Sequence, residues 1–416
     1  MSQIAIIHFP GTTGVAEIER AANSVGLATQ RVLWHEVNKL DNAAAIILPA
    51  GFSYGDRIRP GVIAARSLIM QKIKQLAQQG KPVLGIGNGC QILIEAGLLP
   101  GVTQQALAGA TALNVRKQGQ DVLGVGLYHE AVYIKMVTPA VRTVFTNGLT
   151  QNIVLAARVA DGAGRFLFPE TLLTELEHNH QIVFKYCVAN GTITNEFPAN
   201  PNGAIESIAG ICNPAGNILG YIPEIEREET GTVLMAGLRK SLEQNFVPVA
   251  QSLHWQSGTA LIKRYQAATT SLDIYVTAPQ LVNQAAMAEQ VLQQLGYNVT
   301  ITCKGYWEIW HNANEATLPT LTTQLVKTNL LVNATQEQYE LKWQAAPDTV
   351  NVLVRDINDY TGKLVTQKLH LNNVLKGTIW ELHIPASSIT ERMNIAANIL
   401  QTYLLYNPYS QDCQIL

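Results

Sequence analysis

Short apolar runs separated by amphipathic stretches dominate the first half of the chain. Ile4 to Phe9, Ala45 to Leu48 and Pro82 to Ile86 are apolar runs of strand length, while apolar residues from Val15, and again from Ile63 to Gln78, recur at helical spacing. Strand and helix in alternation predict an α/β domain, a parallel sheet with helices on both faces. Glycine-rich turns follow the strands at Pro10-Gly11, Ala50-Gly51 and Gly85 to Gly89. Open α/β sheets carry their sites at the carboxyl ends of strands, so any site is expected there. Asn200 to Gly203 and Asn213 to Gly216 read as loops, Glu224 to Gly231 as a charged loop, and Val233 to Asn245 as a closing helix.

The second half has a different rhythm. Residues 247–271 read as a linker with one short helical stretch. From Leu272, LDIYVTAPQ reads as a strand, Ala285 to Leu295 as a helix ending at Gly296, Val299 to Lys304 and Trp307 to His311 as two strands, and Leu321 to Leu331 as a helix before a last strand. The order then returns: VNVLVRDI, a strand at Gly377 to Leu382, a helix from Ser388, and a closing LLYNPYSQDCQIL. Trp307-Glu308 and Trp380-Glu381 lie 73 residues apart, and Leu330 to Asn333 and Leu404 to Asn407 lie 74 apart, so the two copies hold register to about one insertion. Asp356 to Val374 matches the first copy poorly, which leaves the second copy's first helix without a clear pattern. The division predicted is 1–246, a linker 247–271, and two small α+β modules, 272–345 and 346–416.

At 416 residues the chain exceeds what one core usually serves. With 47% hydrophobic and 14% charged residues it belongs with globular chains, not disordered ones. Lys and Arg (29) nearly balance Asp and Glu (31) and are scattered, which argues against nucleic acid or an anionic membrane and for a small-molecule or protein partner. No apolar run reaches the roughly 18 residues of a membrane span, and MSQIAIIHFPGTTG lacks the marks of a signal peptide, so a cytoplasmic protein is expected. The five cysteines are odd in number and widely spaced, which predicts reduced thiols. There is no Walker-type loop and the histidines show no ligand spacing, His178 and His180 reading as loop residues; no metal or other cofactor is expected.

Gly85-Ile86-Gly87-Asn88-Gly89-Cys90-Gln91 follows an apolar strand and opens a helix, the form of a nucleophile elbow. The nucleophile's place at its centre is Gly87. Glycine adopts positive φ without the cost other residues bear, so loss of the nucleophile is expected to relax the turn. Together with IIHFPGTTG, LPAGFSYGDRIRPG, KPVLGIGNGCQILIEAGLLPG and NPNGAIESIAGICNPAGNILGYIPEIER, this run resembles the PurQ glutaminase subunits of phosphoribosylformylglycinamidine synthase, class I glutamine amidotransferases of flavodoxin-like fold. The likeness spans roughly residues 3–240.

The family's chemistry implies a cysteine at the elbow, activated by a histidine that a glutamate orients, and a thioester with glutamine from which ammonia leaves. Carried over, the cysteine's place is Gly87, the histidine's is Glu224 and the glutamate is kept as Glu226. The family's His-Gly-Glu-Gly segment corresponds to Asp161-Gly162-Ala163-Gly164. Cys90, three residues into the helix, reads as a buried structural thiol, and the run Glu224 to Glu229 as a solvated loop. Backbone N–H groups of Gly51 and Asn88 could still form an oxyanion-type pocket, although hydration would satisfy them equally well. The tail, with LQQLGYNV, GYWEI, LLVNATQEQYEL and LLYNPYSQDCQI, resembles the small PurS subunit twice over, which implies a PurL-like synthetase as partner and leaves room for a homo-oligomer. The expected function is thus a glutaminase-like structural or regulatory component without catalysis. An active amidotransferase subunit supplying ammonia and a stand-alone metabolite-binding protein are the alternatives.

Overall fold

The apolar runs of the first half become neighbours in one nine-stranded sheet. The computed structural model describes residues 3–102, 108–256, 262–266, 271–311, 313 and 317–416, which fall into two compact units, residues 1–258 and 259–416. In the first unit, Thr29–Leu33, Ile4–His8, Ala45–Leu48, Val83–Ile86 and Ile218–Tyr221 lie side by side and all parallel. Every residue of Ala45–Leu48 and Val83–Ile86 is buried. Successive strand residues face opposite ways, so both faces of the sheet are covered here, as the unbroken apolar runs require.

The sheet continues through Ile208–Cys212, Ile182–Cys187, Tyr128–Met136 and Val154–Asp161, and this half is antiparallel. The expected parallel sheet is therefore mixed. Connection length is the reason: only Asn213 to Asn217 joins Ile208–Cys212 to Ile218–Tyr221, a turn closed by Asn213 Oδ1 accepting from Ile218 N at 2.9 Å. A parallel crossover needs a dozen residues or more. The helix expected over Ile63 to Gln78 is two, Val62–Ala65 and Leu68–Gln78, separated where Ser67 turns extended at ψ 156°. His178 is the last residue of the helix Glu170–His178, and only His180 lies in a loop as expected of both. All five cysteines are unpaired and buried. Among the described residues no helix is long and apolar enough to cross a membrane.

In the second unit a seven-stranded sheet runs in the order Lys263–Arg264, Gln411–Ile415, Thr349–Asp356, Asn373–His383, Thr300–Trp310, Ser271–Thr277, Gln338–Glu340. The two strands expected over Val299 to His311 are one, of eleven residues, paired along its whole length with Asn373–His383. Gly305 faces Thr378 across this pair. Those positions are separated by the same interval as Trp307 and Trp380, so equivalent residues of the two halves meet at a local two-fold axis. Two buried glutamates keep the symmetry: the Tyr265 hydroxyl donates to Glu308 at 3.1 Å and the Trp343 indole N–H to Glu381 at 2.9 Å.

Of residues 247–271, 257–261 and 267–270 lie outside the described residues; the others form no helix, and Leu253 and Trp255 pack against the first unit's core instead. The second half also has its first helix, Tyr360–Leu369. Asp359 caps it, Oδ1 accepting from Gly362 N at 2.7 Å, but Gly362 stands where a capping box would show Glu or Gln, which hid the signal. Asp359→Ala is expected to cost about 1–2 kcal/mol, seen as a lower denaturation midpoint. An unchanged midpoint would mean the cap contributes nothing.

Candidate functional site

Strand register gathers the site. Leu48 lies opposite Gly85, and Ile86 opposite Tyr221, so the chain leaves three adjacent strands at Pro49 to Gly51, at Gly87 and at Ile222 to Glu224. Gly87 alone joins the strand Val83–Ile86 to the helix Asn88–Glu95, with φ 53° and ψ −114°. Its N–H donates to Tyr221 O at 2.8 Å, and its carbonyl accepts from Cys90 N at 3.0 Å. The turn thus keeps the elbow's backbone shape, at a residue that bears no Cβ cost for it. Its flanks hold it: a Cβ on Gly89 would run into the Leu48 carbonyl, and one on Gly85 would lie 2.7 Å from Gly89 O, so helix and strand pack too closely for the turn to open.

A side chain at Gly87 would meet an obstacle. Its Cβ would sit 3.2 Å from Ala50 Cβ and 3.6 Å from Ile222 O. Gly51, at φ 140°, has room for no Cβ at all, which would fall 2.6 Å from Gly11 O and 2.7 Å from Thr13 N. Among the described residues the backbone N–H groups of Gly51 and Asn88 donate to no protein group. The Asn88 side chain is fully engaged, accepting from Ser53 N at 3.0 Å and donating to Gln91 at 2.9 Å and Asp56 at 3.3 Å. Cys90 is wholly buried, its sulfur packed on Gly220, and burial pushes its thiol well above the ordinary range. A thiol held there is a poor nucleophile.

The first two carboxylates of the charged run are not solvated. Glu224 is 5% exposed and Glu226 3%, because Ile225 is pulled into the core and Gly231, without a Cβ, lets the following segment press onto the Glu226 backbone. Main-chain bonds tie Glu224 to Arg158, at 2.6 Å from its N–H, and its carboxylate holds the Arg227 guanidinium, which also reaches Glu17 at 3.3 Å. Burial raises the Glu224 carboxyl and Arg227 draws it back. Among the described residues neither oxygen of Glu226 has a hydrogen-bond partner. Burial first, and the Glu224 charge second, push its carboxyl up to about 8, so it is protonated at neutral pH.

Two further acids flank the turn. Asp161 is raised to about 6 by burial, against hydrogen bonds from Asn114 at 3.0 Å and from Asn202, and Asp56 to about 7 by burial and then by the Asp161 charge. The segment Asp161 to Gly164 is stitched to the elbow helix by Gln91, which donates to Ala163 O at 3.0 Å, and to Asn114 through the Gly164 N–H at 2.7 Å. Arg59 and Glu95 form a buried two-pronged pair at 2.9 and 2.8 Å that fastens the loop after Gly51 to the same helix.

Gly87, Asn88, Gly51, Glu224 and Glu226 therefore do lie around one locus, with Asp161 to Gly164 beside it. Sequence reasoning missed Ala50, Asp56, Gln91, Asn114, Asn202 and Arg227. Ala50 and Asp56 stood inside the loop motif and could have been questioned there; Asn114 is an isolated residue with no local signal.

A family model described as a CobB/CobQ-like glutamine amidotransferase domain matches residues 1–244. The phosphoribosylformylglycinamidine synthase subunit PurQ of Salinibacter ruber is 36% identical over 231 residues, 54% of this chain and 88% of that protein. Its counterpart in Chlorobium chlorochromatii is 38% identical over 225 residues, 54% of this chain and 87% of that protein. Among solved structures, a chain of PurLQS from Thermotoga maritima is 29% identical, covers 59% of this chain and 98% of its own, and superposes with a TM-score of 0.45. Through its first 244 residues, the chain belongs to the glutamine amidotransferase family that includes the PurQ subunits of phosphoribosylformylglycinamidine synthase.

Proposed function

We propose that this protein is a non-catalytic, glutaminase-like structural or regulatory component of a cytoplasmic phosphoribosylformylglycinamidine synthase, working beside a PurL-like synthetase in purine biosynthesis. The elbow carries this reading. Its backbone keeps the shape that would thrust a nucleophile at substrate, yet the apex is Gly87 and the Ala50 methyl crowds the space a side chain would enter. Glu224, in the place of the family's histidine, is committed to Arg227 and has no basic nitrogen with which to draw a proton from a thiol.

The second unit supports the same assembly. Its two halves, each strand-helix-strand-helix-strand about a local two-fold axis, fit a pair of PurS-like modules joined in one chain, and such fusion raises the effective concentration of a bridging element. A second reading, a pocket for a small metabolite, is favoured by one observation: the unused N–H groups of Gly51 and Asn88.

The test is ammonia release from glutamine by the purified protein, alone and with a PurL-type synthetase, ATP and formylglycinamide ribonucleotide. No release above background in either setting, together with co-elution with the synthetase, is expected. Release by the protein on its own would refute the non-catalytic reading, and failure to co-elute would refute the partner.

A further inference from the structure

The two halves of the second unit share helix-end bonds at matching positions, and one difference opens a cleft. Helix Pro279–Gln294 ends through Gly296 at φ 91°, and the Tyr297 N–H donates back to Leu292 O at 2.9 Å. Helix Tyr360–Leu369 ends through His370 at φ 52°, and the Leu371 N–H donates to Thr366 O at 3.2 Å. Tyr297 and Leu371 are therefore counterparts. The helices facing them match by the same offset: Thr328 Oγ1 donates to Leu325 O at 2.7 Å and Thr402 Oγ1 to Ile399 O at 2.6 Å, which makes Gln324 the counterpart of Asn398.

On one side the Tyr297 ring spans the gap between helices, its hydroxyl reaching Asn398 O at 3.4 Å. On the other, Leu371 stands opposite Gln324, and a cleft of about 440 Å³ remains, lined by Trp310, His311, Gln324, His370, Leu371 and Asn372 among others. We propose that this cleft binds a small, uncharged planar aromatic molecule whose ring takes the place that Tyr297 fills in the twin half.

Three features give the ligand its character. Trp310 is 42% exposed but fixed, its indole N–H donating at 2.9 Å to Glu308, a buried carboxylate that Arg355 also holds, so a rigid aromatic face is offered to the cleft. Offset or edge contacts between rings contribute about 0.5–1.5 kcal/mol beyond area burial. Gln324 and Asn372 supply amide donors and acceptors for ring substituents, and His311 Nδ1 is already taken by Ala313 N at 3.1 Å, which leaves Nε2 to pair. The described lining holds no Asp, Glu, Lys or Arg, so none of these side chains offers a carboxylate or a permanent cation to pair with a charged ligand.

The probe is p-cresol, the tyrosine side chain as a free molecule, with adenine as a heteroaromatic second probe. In the full-length protein carrying ¹⁵N-tryptophan, either is expected to shift the Trp310 indole resonance saturably, the resonance being assigned through Trp310→Phe. Leu371→Tyr fills the cleft from within and is expected to weaken binding by at least about tenfold. Gln324→Ala trims an exposed side chain and gives a second measure should Leu371→Tyr fold poorly; it is expected to weaken binding severalfold. A Trp310 resonance that neither probe moves overturns the proposal, and so do equal shifts in the unaltered protein and both variants.

Discussion

Glu226→Gln is expected to stabilise the protein at mildly alkaline pH by on the order of 3 kcal/mol and to flatten its stability between about pH 5 and pH 8. The folded carboxyl is held up to about 8, from 4.5 in the open chain, by burial without a hydrogen-bond partner and by Glu224. Between those two values the unfolded chain has released a proton that the folded protein still binds, so stability must fall as pH rises. Below the lower value both states are protonated and nothing is lost; above the upper one the folded protein carries the whole cost of a buried, unpaired charge. Glutamine keeps the volume and cannot ionise, so it removes this slope while leaving a buried amide. Asp56, Asp161 and Glu224 are raised too and tilt stability the same way, so the variant should be less pH-sensitive, not insensitive. Calorimetry at about pH 5.5 and pH 8.5 decides it: transitions of protein and variant that move in parallel would show that Glu226 does not carry the effect.

The same residue marks where reading the sequence stopped. Gly87 was legible because a strand, a lone glycine and a helix leave one reading for the turn. That Glu226 is buried was not, because Glu224 to Glu229 is a charged run and charged runs are ordinarily solvated; here Ile225 and the close approach of Gly231, both tertiary effects, draw it inward. The parallel strands were legible for the converse reason, being apolar at every position because both their faces are covered. The antiparallel half was not, since Tyr128–Met136 opens on exposed residues and alternates only from Val132, and its partners are set by turns far away in sequence.

The repeat within the second unit was legible through Trp307-Glu308 and Trp380-Glu381, which recur because each tryptophan is buried and each glutamate is held by an aromatic neighbour, Tyr265 or Trp343. The helix Tyr360–Leu369 stayed hidden, since its early glycine and polar residues spell no helical stripe. What the sequence carries well is the core-facing pattern. What it carries poorly is the consequence of one extra methyl, as at Ala50, which turns a loop motif into an obstruction.

That methyl leads to the expectation that restoring the family's cysteine and histidine will not suffice. Gly87→Cys with Glu224→His should release little ammonia from glutamine, whereas adding Ala50→Gly should raise release by at least about tenfold over the double variant. The turn already has the required geometry, φ 53° and ψ −114°, and an L residue there costs about 1–3 kcal/mol, as strained functional positions do. But a cysteine Cβ 3.2 Å from Ala50 Cβ must push the loop or itself move by a few tenths of an ångström, and misplacement at a reacting atom is expensive in rate. Removing the methyl frees that contact at the loop that presents the Gly51 N–H. A histidine at 224 would give Glu226 the partner it lacks, so the carboxyl should ionise again and help hold an imidazolium beside a thiolate. The histidine change alone should therefore reproduce part of the stability gained by Glu226→Gln near neutral pH. Equal activity in double and triple variants would show that Ala50 is no obstacle, and a histidine variant as pH-sensitive as the parent would show that residue 224 does not reach Glu226.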